Sequence, residues 1–166
     1  TLAFLQVLFA MGVSMVVLSG ALYLGIRNCF IIGAVIMLGH NLLDPIWPMS
    51  APFGDGSEPM WAALHSPTTI ILKPFYLVVM YPPLAWVGIM LMGFGSSFIF
   101  KKEPAKRDLL LKKIGLSMMA AFVIIRTFGF YGDPNTWQVQ ELGFISTFFD
   151  FMDVTKYPPS LLYFLA

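Results

Sequence analysis

Charge is absent from three long stretches of this chain: no Asp, Glu, Lys or Arg occurs in residues 1–26, 28–43 or 74–100. A helix needs roughly 20 mainly apolar residues to cross the hydrocarbon core of a bilayer, within a range of about 17–25. Of the 166 residues 58% are apolar and 11% charged, against about 25% charged in an ordinary soluble domain. So few charges cannot cover the surface of a water-soluble core of this size. The expected fold class is therefore all-α, a polytopic transmembrane helix bundle. Four complete spans are expected at 1–25, 28–43, 82–100 and 110–131, with a truncated fifth at 158–166, all within one transmembrane domain.

The loops carry an independent signal. Arg27 follows the first run, and Lys101, Lys102, Lys106, Arg107, Lys112 and Lys113 crowd the connection that opens at 101–109. With four spans these two connections fall on one side, and the positive-inside rule makes that side cytoplasmic. The opposite loops, 44–81 and 132–157, hold seven of the chain's acids and only Lys73 and Lys156 as cations. The expected location is the cell inner membrane, crossed several times, with the lipid bilayer as a partner. Pro45, Pro48, Pro52, Pro59 and Pro67 make the start of the first outer loop a surface structure rather than a span. Trp47 and Trp61 suit the membrane–water interface. Residues 69–79 are apolar but short and contain Lys73-Pro74, so they are expected to lie in the interface or re-enter without crossing. Tyr81-Pro82-Pro83 and Tyr157-Pro158-Pro159 both look like rigid helix starts.

A net charge of +1 makes no case for nucleic acid, and a single cysteine, Cys29, excludes an intrachain disulfide or a thiolate metal cluster. No phosphate-binding loop, dinucleotide fingerprint, zincin helix or nucleophile elbow occurs. No metal is expected: His65 has no ligand-spaced histidine or cysteine near it. The chain lacks an initiator methionine and a basic leader, and it stops in an apolar run, from which a longer protein is expected.

The polar residues inside or beside the apolar runs are the candidates for chemistry. His40, Asn41 and Asp44 fall at the outer end of the second run, with His40 and Asp44 one helical turn apart. A histidine beside a carboxylate can accept a proton or orient a nucleophile, and Pro45 favours an extended Asp44. Arg126 interrupts the fourth run, where a charge faces a cavity, binds an anionic group, pairs with Asp44 or Asp133, or snorkels outward. Asp150 and Asp153 are three apart and can present paired carboxylates.

Three ordered motifs resemble a known family. They are Gly39-His40-Asn41-Leu42-Leu43-Asp44, the run Tyr81-Pro82-Pro83-Leu84-Ala85-Trp86-Val87-Gly88, and Lys156-Tyr157-Pro158-Pro159-Ser160-Leu161-Leu162-Tyr163. They are similar to bacterial membrane proteins grouped with heparan-alpha-glucosaminide N-acetyltransferase. The resemblance implies a larger helix bundle and a membrane acyltransferase that moves an acetyl or similar group from acetyl-CoA, or another acyl-CoA, to an extracytoplasmic sugar or glycan. The family's own catalytic histidine belongs to an amino-terminal part outside this chain. Within it, His40, Asn41 and Asp44 are the expected catalytic residues, Arg126, Asp150 and Asp153 the expected substrate contacts, and Lys101, Lys102, Lys106 and Arg107 the expected site for the coenzyme A phosphates. A homo-oligomer is among the expected assemblies. A transporter or flippase-like protein using the same cavity, or a structural membrane component without catalysis, is the alternative reading.

Overall fold

The computed structural model describes residues 2–45 and 63–166. The chain divides into two compact units, Thr1–Lys101 and Lys102–Ala166. Trp47 and Trp61, with the prolines between them, lie outside the described residues.

The first unit contains a sheet that the apolar pattern conceals. Strand β1 (Leu2–Leu5) runs parallel to β3 (Phe75–Val79), and β2 (Thr68–Leu72) pairs antiparallel with β3, giving the order β1-β3-β2. Leu2 stands opposite Tyr76, and Thr68 opposite Val79. Thr68, Thr69, Ile70 and Ile71 are β-branched and favour a pleated surface. Lys73-Pro74, whose peptide bond is cis, turns the chain between β2 and β3.

Helix α1 (Val7–Ala21) follows β1 and continues through a 3₁₀ turn at Leu22–Leu24. Gly25, at φ 82°, opens α2 (Ile26–Gly39), and only glycine takes that conformation without strain. Helix α3 (Pro83–Gly95) begins with proline in its first turn, where a missing N–H costs nothing. Cys29, Val87 and Leu91 form the core of this helical layer, with Leu18, Ala21, Ile36 and Phe94 against them. Small residues set the spacing of α2 and α3. A Cβ on Gly33 would strike the backbone of Met92 and Gly88, one on Gly88 would lie 2.8 Å from the Ile36 side chain, and one on Gly95 would lie 2.5 Å from Phe30.

The second unit is built on α4 (Pro104–Phe128), which ends on the left-handed Gly129. The short helices α5 (Phe144–Met152) and α6 (Leu161–Leu165) complete it.

The expected all-α bundle of four spans and a truncated fifth is therefore wrong on two counts. The described residues hold six α-helices together with a three-stranded open sheet. Among the described residues only two helical stretches, Val7–Leu24 and Ile26–Leu43, are long and apolar enough to cross a membrane. The expected third span is a shorter helix, Pro83–Ile99 with its terminal 3₁₀ turn. The expected fourth carries Lys112, Lys113 and Arg126 within the one long helix α4. The expected fifth contains a five-residue helix after the cis Tyr157-Pro158 bond, and 69–79, expected not to cross, falls within the β2–β3 hairpin. Counting apolar residues could not tell a strand or a short helix from a span. The sidedness argument, which needed four crossings, loses its basis with them.

Membrane association itself has support. Of the two span-length windows only 17% and 28% is buried, so most of their apolar surface faces outward. A soluble protein's core helix would bury that surface, whereas a bilayer accepts it.

Candidate functional site

At the end of α2 the helix tightens into a 3₁₀ turn over His40–Leu43. In a 3₁₀ turn residues three apart eclipse, so the neighbour of Asp44 becomes Asn41 rather than His40. Asn41 Nδ2 donates to Asp44 Oδ2 at 2.8 Å. Asp44 keeps helical angles, φ −53° and ψ −42°, despite the proline that follows, which corrects the extended backbone expected there. Its N–H is bonded to the Asn41 carbonyl at 3.2 Å.

The other carboxylate oxygen is held from far along the chain: His65 Nε2 donates to Asp44 Oδ1 at 2.8 Å. His65 lies at the approach to β2 and is 2% exposed, whereas the Asp44 side chain keeps 23% of its surface open. His40 stands behind the pair, its ring 6.0 Å from that of His65 and tilted by 66°. Its Nδ1 lies 3.0 Å from the Met37 carbonyl, and a carbonyl can only accept, so the proton sits on that nitrogen. The arrangement is a carboxylate clamped on both oxygens, by Asn41 and by His65, closed on the histidine side and open on its own. Such a carboxylate can hold a cationic or hydroxyl group and take up its proton.

In the second unit Arg126 is 2% exposed. Its Nε donates to Phe151 O (3.0 Å), Nη1 to Asn135 O (2.6 Å), and Nη2 to Asp150 O (3.1 Å) and Asp153 O (2.5 Å). Trp137 Nε1 donates in turn to the Arg126 carbonyl at 2.9 Å, and its ring meets Phe151 edge-on at 5.4 Å. The guanidinium thus ties the 135–153 segment to α4. No carboxylate pairs with it among the described residues, and the expectation that it pairs with an acid or snorkels outward gives way to this cage of carbonyls.

Asp133 gathers four donors: Asn135 N (2.9 Å), Thr155 N (2.7 Å), Thr155 Oγ1 (2.8 Å) and Ser160 Oγ (2.8 Å). Ser160 Oγ also accepts from Tyr163 N and so caps α6. Asp150 and Asp153 line an open groove of about 370 Å³ with Gln140, Ser146 and Phe149. Asp150 Oδ2 is taken by the Gln138 N–H at 2.6 Å.

The expected coenzyme A stretch lies on the exposed start of α4. Lys106 is paired with Glu103 and Arg107 with Asp108, each at 3.1 Å. The groove there, of about 250 Å³, is lined by Lys102, Lys106, Leu109, Leu110 and Lys113. It takes in Lys113 and leaves out Lys101 and Arg107. No group of three or more metal-ligating side chains occurs among the described residues.

His65 is the residue that sequence reasoning missed. Its distance of 21 positions from Asp44 and the proline-rich stretch between them give no periodic signal. The remaining hint was a histidine directly before Ser66-Pro67 and a strand. No protein-family model, curated protein or solved structure matches the chain.

Proposed function

We propose that the chain is part of a membrane-associated acyltransferase in which Asp44 is the proton acceptor, with Asn41 and His65 as positioning residues. One observation carries the reading: the Asp44 carboxylate is held on Oδ2 by Asn41 and on Oδ1 by His65, yet stays partly open. The resemblance of the His40–Asp44 motif to the glucosaminide acetyltransferase family supplies the reaction class. In this reading α1 and α2 cross the inner membrane, and the 3₁₀ turn presents Asp44 at the end of the second crossing.

The acceptor is a sugar amine or hydroxyl and the donor an acyl-CoA thioester. The acceptor's lone pair attacks the thioester carbonyl carbon, the C–S bond breaks, and its electron pair leaves with sulfur. Asp44 takes the proton released by the acceptor and passes it to the departing thiolate. Burial of His65 keeps bulk water from competing for the carboxylate oxygen it holds, so the open face of Asp44 is the one left for the acceptor.

The test is transfer of labelled acetyl from coenzyme A to an amino-sugar and glycan panel by the complete protein in sealed vesicles. Asp44→Asn keeps the size and most hydrogen bonds but loses the base, and should cut turnover by about 100-fold or more at matched abundance. His65→Gln should cut it less, by loosening the carboxylate. Wild-type turnover in Asp44→Asn would remove the carboxylate from the mechanism. No protein-dependent transfer at all would turn the site into a binding cavity without covalent chemistry.

A further inference from the structure

Six of the chain's ten cations fall in the thirteen residues 101–113, against two acids. The remainder of the chain holds four cations and seven acids, so the charge asymmetry is concentrated at one place, the start of α4 and the residues just before it. Residues 106, 109, 110 and 113 follow helical spacing on α4 and share one side, and together with Lys102, just before the helix start, they line the groove of about 250 Å³. Lys102 and Lys113 make no ion pair among the described residues. The Lys106–Glu103 pair is exposed on both partners, where water and salt leave such a pair little strength. Two leucines lie between the lysines, and farther along α4 Leu116, Met119, Val123 and Ile124 are all more than half exposed.

We propose that this groove binds the phosphate head group of an anionic phospholipid, with Lys102, Lys106 and Lys113 on the phosphate and Leu109 and Leu110 against the glycerol and first acyl carbons. Charge complementarity selects an anion, and the interleaved leucines select one that carries hydrocarbon. A soluble phosphate or a nucleic-acid backbone would satisfy the lysines and leave the leucines in water. Lysine stems cover apolar surface while their heads reach phosphate, and basic segments beside membrane-embedded helices attract anionic lipid. The inference needs a bilayer but not the acyl-transfer reading.

The experiment places the full chain in phosphatidylcholine bilayers with a trace of spin-labelled phosphatidylglycerol or phosphatidylcholine, and compares how much of each is motionally restricted by the protein. The expected result is a preference for phosphatidylglycerol of about threefold or more at low salt, reduced by high salt. The K102Q/K106Q/K113Q variant should lose the preference, and K102R/K106R/K113R should keep it, with circular dichroism unchanged in both. An undiminished preference in a folded glutamine variant would overturn the site. Inorganic phosphate or coenzyme A abolishing the preference at matched ionic strength would also overturn it, in favour of a soluble anion. Should the triple glutamine variant not fold, K102Q and K113Q singly carry the same test with a smaller expected loss.

Discussion

Arg126 shows how a residue can be conspicuous in a sequence for one reason and matter in the structure for another. An arginine in an apolar run marks a buried charge, and burial is what the structure shows. Its partners were illegible because they are main-chain carbonyls at 135, 150, 151 and 153, and carbonyls leave no trace in a side-chain pattern. The guanidinium's planar fork can serve several acceptors at once, which an ammonium cannot. Arg126→Met should therefore lower stability by about 3 kcal/mol by stranding those carbonyls, and Arg126→Lys should recover less than half of it. The midpoint of denaturant unfolding in detergent measures both. Asn41 and Asp44 were legible as neighbours, but the assignment of His40 as Asp44's helical partner assumed an α-helix where the chain makes a 3₁₀ turn.

Among the elements, the pairing of α2 with α3 rests on glycine. Of the three glycines on α3, Gly88 and Gly95 lie against α2 while Gly93 is open. Gly33 contributes from the facing helix, and a Cβ there would meet backbone, which cannot rotate away. Gly33→Ala should destabilise the first unit by about 1–3 kcal/mol through overpacking. Gly93→Ala, with nothing within 4 Å of its new Cβ, should be neutral or stabilise by up to about 1 kcal/mol through helix propensity. Equal losses in thermal melts of the two variants would contradict this account. The strands were the least legible elements: β2 and β3 are short and nearly uniformly apolar, and their pairing with β1 depends on partners remote in sequence.

For the molecule as a whole, composition identified a chain that cannot hide its apolar surface from water, but it overcounted the helices able to cross a bilayer. With Cys29 replaced by serine, a cysteine at position 15 or 23 distinguishes lipid from solvent. Met15 is 62% exposed within α1, and Tyr23 is 93% exposed where α1 gives way to α2. In intact membranes Tyr23→Cys should react with an impermeant maleimide from one side only, and Met15→Cys should react at least about tenfold more slowly despite its exposure. Equal rates would mean that α1 is not in lipid. The parallel pairing of β1 with β3 adds a constraint of timing. Leu2 finds its register against Tyr76, and the 74 residues from 3 to 76 take about 4–15 s to synthesise at ordinary rates. For that interval β1 has no β3 to join, so the residues of α1 and α2 are synthesised before the sheet that anchors the start of α1 can exist.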